Sequence, residues 1–445
     1  MHLTTRIFAL ARRGLLALLL APAAWAALPI EHWTHASGAQ VYLVQSPGIP
    51  MVDVQLDFDA GDRRSPVGKT GLAGVMASAT RNGVKAAAGQ SALDENALGE
   101  AWADLGASFS ANAGSDRLTF ALRSLSYPDV LAQASALAAR QLGEPAFPDK
   151  LWQRDRPKMI ASIKEANTRP ATVAARAYGK AVYGNHPYGR ETTEADLNYI
   201  SSADMQALHA QAVRACYARI SMVGAVDRAQ ADALVATLLA RLPQGNCPAL
   251  GTVEEVQPLS GPSEQRIAFD SAQAHVLVGQ PGIKRSSPDY FALLVGNHIL
   301  GGGGFTARLT EEVREKRGLT YGIYSSFAPG LHAGAFTISL QTRPDQAQQA
   351  LDILRAELKR FVADGPTEKE LQAAKDNLIG GFALRIDTNR KLLDNVANIA
   401  WNDLPLDYLA TWTAQVQRIT AADIRQAFAR TLQPQSMATV VLGGN

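Results

Sequence analysis

Arg314 and Tyr321 lie seven positions apart in the stretch REKRGLTY, and their side chains could act on one group. Arg314 is near the end of a predicted helix, and Tyr321 is among the first residues of the predicted strand LTYGIYSSF. A guanidinium and a phenol both donate hydrogen bonds, and a helix end that leads directly into a strand could aim both side chains at one spot. Spacing alone leaves an alternative open, a solvated helix arginine beside a half-buried strand tyrosine.

Four consecutive glycines, Gly301–Gly304, precede that helix. A phosphate-binding P-loop requires Lys-Ser or Lys-Thr after its glycines, and none follows here. A dinucleotide-binding loop follows a parallel strand, whereas HILGGGGFTARL follows a helical pattern. We therefore predict that the glycines end one helix and allow a sharp reversal into the next. That next helix has an apolar stripe at Phe305, Leu309 and Val313, and it ends at Gly318.

The first 26 residues have the features of an export signal. Three arginines come before an apolar core, and Ala24-Trp25-Ala26 forms a small-x-small cleavage pattern. Removing residues 1–26 changes the formal net charge from +2 to about −1, so nothing in the charge favours a nucleic-acid partner. The 445-residue chain is predicted to be a periplasmic protein, with a retained N-terminal anchor as the alternative.

The remaining sequence contains an internal duplication. Pro128-Asp129 corresponds to Pro344-Asp345, and each pair starts a helix, a Pro-containing turn and a second helix, preceded by two alternating strands. Residues 244–266 are rich in Pro, Gly and polar residues, as in a linker. We predict two homologous domains, 27–243 and 267–445. Each is of the α+β class, with a mostly antiparallel sheet and helices packed on it, and the domains face one another across a chamber.

Two cysteines remain, and export would permit a disulfide between them. Cys216 precedes the strand-like run RISMVGAV, and Cys247 follows the helix-like run AQADALVATLLARL. A helix that packs back along its preceding strand ends near the start of that strand, so the two sulfurs could meet. The sequence leaves a disulfide and two free thiols both open.

Three segments together resemble one known family, the pitrilysin/insulinase zinc metallopeptidases, also called inverzincins. The segment LGGGGFTARLTEEVREKRGLTYGIYSSF resembles the C-terminal-domain signature of that family. NHPYG (185–189) resembles another of its landmarks, and Val52–Gly83 resembles its first strand, loop and zinc helix. The resemblance covers nearly the whole mature chain. It implies that Arg314 and Tyr321 match an Arg/Tyr pair that contacts the substrate beside the zinc.

The zinc motif of that family is missing. Family peptidases have H-x-x-E-H on the first-domain helix, and the corresponding positions here include Gly74, Ala77 and Ser78. The third ligand, a distant glutamate, corresponds to Ser162 when Pro170 is the anchor. Glu165 is close to that position but out of register. We therefore expect no catalytic zinc in this chain. His32 and His35 form H-x-x-H, but just after the cleavage site, on a surface turn or first strand. The other histidines are scattered without ligand spacing, and we interpret them as ordinary surface or core residues: His186, His209, His275, His298 and His332.

A chain that keeps the Arg/Tyr pair and lacks the zinc ligands resembles the zinc-less subunit of bacterial two-chain peptidases. The resemblance implies a heterodimer with an H-x-x-E-H subunit that holds the zinc, and an extended peptide substrate. The substrate would lie along the segment Phe109, Ser110, Ala111, Asn112 and Ala113. The rival hypothesis is a structural or peptide-binding homologue that takes no part in hydrolysis. A self-sufficient peptidase with a different metal site is a third interpretation.

Overall fold

The computed structural model describes residues 29–87, 89–245 and 247–444. The predicted signal segment 1–26 lies outside the described residues. Within them, the chain forms a six-stranded sheet, a five-stranded sheet and a two-stranded ribbon. Helices cover the sheets, so the predicted α+β class with two similar halves is confirmed. No helix in the described ranges is long and apolar enough to cross a membrane.

The N-terminal half is built on the six-stranded sheet. Its strands and the short ribbon β4/β5 are β1 (Glu31–Thr34), β2 (Gln40–Gln45), β3 (Met51–Phe58), β4 (Gly83–Val84), β5 (Leu93–Asp94), β6 (Ser108–Ala113), β7 (Leu118–Leu125) and β8 (Arg219–Gly224). Its helices are α1 (Leu72–Ala79), α2 (Glu95–Asp104), α3 (Pro128–Gly143), α4 (Asp149–Ala166), α5 (Pro170–Tyr183), α6 (Glu194–Tyr199), α7 (Ser202–Ala212) and α8 (Arg228–Leu239).

The C-terminal half is built on the five-stranded sheet. Its strands are β9 (Ser263–Ile267), β10 (Ala274–Pro281), β11 (Ile323–Phe327), β12 (Ala335–Thr342) and β13 (Ala438–Leu442). Its helices are α9 (Tyr290–Asn297), α10 (Ala347–Asp364), α11 (Glu368–Gly380), α12 (Asn389–Trp401), α13 (Tyr408–Arg418) and α14 (Ala421–Thr431). Residues 247–262 between the halves contain no helix or strand, and β9 begins at Ser263, inside the predicted linker 244–266.

The duplication is visible in the order of the strands. The first sheet has the order β6-β7-β3-β8-β2-β1, and the second has the order β11-β12-β10-β13-β9. In both sheets the pairs are antiparallel except one, β2 with β8 and β9 with β13. Strand β6 therefore corresponds to β11, and each is the edge strand of its sheet. The matched prolines also start matched helices, because proline fits the first helical turn.

Each half lends one helix to the sheet of the other half. Helix α5, from the N-terminal half, packs on β10 and β13 and buries Ala174, Tyr178 and Val182 against the second sheet. Helix α12, from the C-terminal half, packs on β2, β3 and β8 of the first sheet. This exchange joins the two halves through both sheets, so the boundary in sequence is not a boundary in packing.

Candidate functional site

The wall that corresponds to a zinc helix is α1, and its side chains are small. Gly74 and Ser78 are half-buried, and Ala77 is 2% exposed. A Cβ atom added to Gly74 would meet no atom within 4 Å outside its own helix. Nothing therefore fills the space in front of this residue, where a ligand side chain would extend.

These residues do not fit a zinc ion. A catalytic zinc needs three protein donors, and glycine and alanine supply none. On α4, Ser162 is exposed, and the nearby Glu165 is held in an ion pair with Arg169. In the described parts of the chain, no group of three His, Cys, Asp or Glu residues is placed to hold a metal ion.

One carboxyl group lies close to the start of α1. Asp62 accepts a hydrogen bond from the Ser65 hydroxyl at 3.3 Å, and burial raises the pKa of its carboxyl. Backbone hydrogen bonds from Ala73 and Gly74 lower the pKa of the same carboxyl, because the first turn of a helix favours a negative charge. Asp62 therefore supports the N-terminus of α1.

Arg314 and Tyr321 lie side by side, one of the two arrangements that their spacing left open. The guanidinium carbon of Arg314 lies 5.0 Å from the centre of the Tyr321 ring and 4.6 Å from that of Phe305. The Nε atom of Arg314 also lies 3.3 Å from a carboxylate oxygen of Glu315. The Tyr321 side chain is 85% exposed. A half-buried strand tyrosine, the alternative interpretation, is therefore not what the structure contains.

Two details of this segment differ from the sequence prediction. Tyr321 precedes β11 and lies in a bend, so it is not part of the strand. The helix before it contains a π-helical turn, Thr310–Glu315, and Phe305 belongs to a separate short turn that precedes the helix. Leu309 and Val313 are fully buried, but Phe305 is 71% exposed and forms no part of an apolar stripe.

Two threonines that the sequence analysis overlooked fix the bend that carries Tyr321. The Thr320 hydroxyl lies 2.6 Å from the Gln341 carbonyl on β12, and it accepts the Gly322 N–H at 3.1 Å. The Thr342 hydroxyl donates to the Leu319 carbonyl. Since both hydroxyls join the bend to β12, the position of Tyr321 is set by the sheet. In the sequence, each is simply a threonine in or near a predicted strand, and such threonines are too common to indicate a structural role.

The glycine run explains why one edge strand is covered and the other is open. A Cβ on Gly301 would lie 2.6 Å from the backbone nitrogen of Ser325, so only glycine allows this close approach to β11. Asn297 donates to the Ser325 carbonyl at 3.0 Å and accepts its hydroxyl at 2.8 Å. The π-helical turn His298–Gly302, which continues α9, thus covers the outer edge of β11.

Strand β6, the counterpart of β11, contains the predicted peptide-binding segment Phe109–Ala113. It is the edge strand of the first sheet and pairs only with β7 among the described strands. Its residues alternate between exposed and half-buried, with Ser110 and Asn112 exposed. Phe109 stacks between Trp102 and Phe120, with ring centres 5.8 and 5.9 Å apart. This packing fixes the strand, and no described strand pairs with its outer edge.

The NHPYG segment connects the two halves. The Tyr188 hydroxyl donates to the Asp116 carboxylate, whose second oxygen accepts the Leu331 N–H at 3.1 Å from the other half. Arg63 also donates to Asp116, at 2.9 Å. The turn after β6, which contains Asp116, is therefore fixed to the C-terminal half.

Two histidines described above as scattered lie side by side at this junction. The rings of His186 and His332 are 5.2 Å apart between centres. His186 contacts the Glu254 carbonyl at 3.0 Å and accepts the Tyr188 N–H at 3.1 Å, and burial lowers its pKa. Both ring nitrogens of His186 are thus engaged in joining the linker to the NHPYG segment.

The structure pairs Cys216 with Cys247 in a disulfide, with Cα atoms 5.9 Å apart. Cys216 lies in the short turn Ala215–Tyr217 that leads into β8, and Cys247 lies in the segment that follows α8. The bond joins the start of the interdomain segment to the N-terminal half.

The chain has relatives of known description. The family description Peptidase M16 inactive domain matches residues 199–378. The crystal structure of a peptidase M16 inactive domain from Pseudomonas fluorescens is 34% identical, with a TM-score of 0.87, and the match covers 94% of this chain and 98% of that chain. Non-peptidase homolog YmxG of Helicobacter pylori is 25% identical over 388 residues, which are 84% of this chain and 85% of the relative.

Other relatives are longer than the region they share with this chain. The periplasmic protease PqqL from Escherichia coli has the same fold, with a TM-score of 0.79 and 17% identity, but the match covers 94% of this chain and 46% of that chain. The match to an uncharacterized zinc protease of Mycobacterium tuberculosis spans 66% of its length.

The identity of 34% extends over nearly the full length of both this chain and the Pseudomonas structure. The recognition made from the sequence motifs is thereby confirmed. This protein belongs to the peptidase M16 family, that of pitrilysin and insulinase, and is a member that lacks the zinc-binding motif.

Proposed function

We propose that this chain is the zinc-less subunit of a periplasmic heterodimeric metallopeptidase. A homologous H-x-x-E-H subunit holds the zinc, and this chain supplies Arg314 and Tyr321 to the active site of that partner. The two halves of this chain form one half of a chamber for extended peptides.

The observation that carries the proposal is the contrast between two surfaces of the same chain. Positions 74 and 77 on α1 offer no metal donor, whereas Arg314 and the 85% exposed Tyr321 present hydrogen-bond donors at the surface. An exposed phenol and guanidinium fixed by the sheet can donate to the carbonyl oxygen of a peptide as it gains negative charge. A donor pair of this kind needs a zinc-bound nucleophile from elsewhere, which a second chain would provide.

The size and location of the relatives also support the proposal. This chain corresponds in fold to 46% of the periplasmic protease PqqL, so a second unit of similar length would complete an assembly of that size. The signal-like N-terminus and the Cys216–Cys247 disulfide favour an oxidising compartment such as the periplasm.

The peptide substrate is proposed to add a strand to β6. This edge is open among the described residues, whereas the corresponding edge of β11 is covered by Asn297 and Gly301. Backbone hydrogen bonds to an edge strand give affinity with little dependence on sequence.

A scaffold or peptide-binding homologue without a role in hydrolysis is the second candidate. It is favoured by the similarity to a relative that is called a non-peptidase homolog. That function would require neither Arg314 nor Tyr321 at the surface, so the two candidates differ in the effect of changing Tyr321.

The test is peptide hydrolysis by the reconstituted pair of this chain with a co-purifying H-x-x-E-H homologue. We expect Tyr321→Phe to lower the rate about 100- to 1000-fold while the complex still forms, since one oxyanion donor is lost. Tyr199→Phe is the matched control, because Tyr199 is 71% exposed and lies on α6, a helix of the other half. An unchanged rate for Tyr321→Phe in an intact complex would reject the proposed function and favour the scaffold.

A further inference from the structure

A cleft of about 430 Å³ opens directly beside Tyr321, on the face of the second sheet opposite its main core. Its floor is a row of residues across three adjacent strands. Leu277 of β10 is paired with Ser339 of β12, which is paired with Tyr324 of β11. The neighbours of these residues along each strand point into the core, since side chains alternate between the faces of a sheet.

The walls of the cleft come from separate parts of the chain. Ala171 in the first turn of α5 closes one side, and Tyr321 and the 57% exposed Tyr324 form the other. A Cβ on Gly322 would come within 3.0 Å of the Tyr324 ring, so this glycine allows the ring to lie against the bend. The exchanged helix α5 and the bend fixed by Thr320 therefore shape the cleft together.

The lining of the cleft carries no formal charge. It contains no Asp, Glu, Lys or Arg. His275 contributes an imidazole whose pKa is lowered by burial, so the ring is neutral near pH 7. A charged side chain entering here would lose hydration without gaining an ionic partner among the lining residues, whereas an apolar or aromatic one would gain buried contact area.

We propose that this cleft is a specificity pocket, which receives an uncharged apolar or aromatic side chain of the peptide held at Arg314 and Tyr321. The inference rests on the proposed function, in which Arg314 and Tyr321 donate to a carbonyl oxygen of the peptide. The occupant is identified by two features: Tyr321 lines both the cleft and the Arg/Tyr site, and the lining is uncharged.

The experiment measures peptide binding to the isolated chain and needs no turnover. Three fluorescein-labelled nonapeptides, identical except for Phe, Glu or Lys at the centre, are titrated by fluorescence anisotropy. We expect the Phe peptide to bind at least about tenfold more tightly than the other two, the discrimination that an apolar pocket typically provides.

A charge placed in the cleft should redirect this preference. Gln341 is exposed and lines the cleft. Gln341→Lys should tighten the Glu peptide by about tenfold relative to the Lys peptide, and Gln341→Glu should do the reverse. Gln372→Lys adds the same charge on the exposed side of α11 and should leave the preference unchanged.

Equal affinity for the three peptides, no binding of any of them, or equal shifts with both Gln341 variants would overturn the pocket. This outcome is distinct from failure of the proposed function, which is decided by turnover of the reconstituted pair with Tyr321→Phe. If the cleft prefers the Phe peptide but Tyr321→Phe leaves turnover of the reconstituted pair unchanged, only the catalytic role of Tyr321 is rejected.

Discussion

Gly74→Ala should stabilise the protein, because the empty space in front of α1 accepts a methyl group. Gly74 is the third residue of an eight-residue helix, and its added Cβ meets nothing within 4 Å. Alanine is favoured over glycine by about 1 kcal/mol in a helix interior, and a first-turn position retains part of this difference. Since the methyl group buries little area, we expect a gain of about 0.5–1 kcal/mol in the free energy of unfolding.

The assay is thermal unfolding followed by circular dichroism, and the expected increase in Tm is about 1–4 °C for a half of this size. Gly296→Ala is the matched control. Gly296 also lies in a helix, α9, but a Cβ there would collide with the rings and methyl groups of Phe428 and Ile424. That variant should lose about 1–3 kcal/mol through overpacking. If Gly74→Ala instead lost about 1–3 kcal/mol, as expected for Gly296→Ala, the space in front of Gly74 would be filled by other atoms. That result would refute the open wall on α1.

Three further predictions concern the supports of the structure. The disulfide closes a loop of 31 residues, so the double variant Cys216→Ser/Cys247→Ser should lower the free energy of unfolding by about 3–4 kcal/mol in urea titrations. Thiol labelling of the denatured, unreduced protein should find no free cysteine, and two labelled cysteines would contradict the pairing. Burial lowers the pKa of His209, whose Nε2 lies 2.8 Å from the Leu142 carbonyl. The unfolded chain therefore binds more protons below about pH 6.5, and stability should be complete above that pH and decrease as pH falls through the folded-state pKa. His209→Gln should flatten this slope in part, and an unaltered slope would exclude the contribution of His209. Thr320→Val removes the hydroxyl that joins the bend to β12 and should cost about 1 kcal/mol in thermal unfolding. In the reconstituted pair, it should lower turnover more than Thr306→Val, whose hydroxyl bonds only within its own exposed turn.

Local patterns in the sequence predicted much of the fold. The matched prolines predicted matched helices, and Gly318 ends its helix with a positive φ of 63°. A helix that leads towards a strand made the juxtaposition of Arg314 and Tyr321 one of two open interpretations, and the structure contains it. These features depend on interactions between residues close in sequence, which is why pattern and spacing were sufficient.

Features that depend on distant partners were not predictable in this way. The apolar face of α5 indicates burial but does not say on which sheet, so the exchange with α12 was not foreseen. The meeting of His186 with His332 depends on the path of the interdomain segment. Phe305 fits an apolar stripe by spacing, yet the turn at Gly304, with a φ of 64°, places it outside the helix.

The most direct test of the central claim is a titration of the zinc-bearing homologue with this chain, with peptide hydrolysis as the readout. We expect turnover to rise with added chain, to reach saturation at one chain per zinc subunit, and to stay about 100- to 1000-fold lower when the added chain is Tyr321→Phe. Full turnover by the homologue without this chain, or equal turnover with Tyr321→Phe, would contradict that claim.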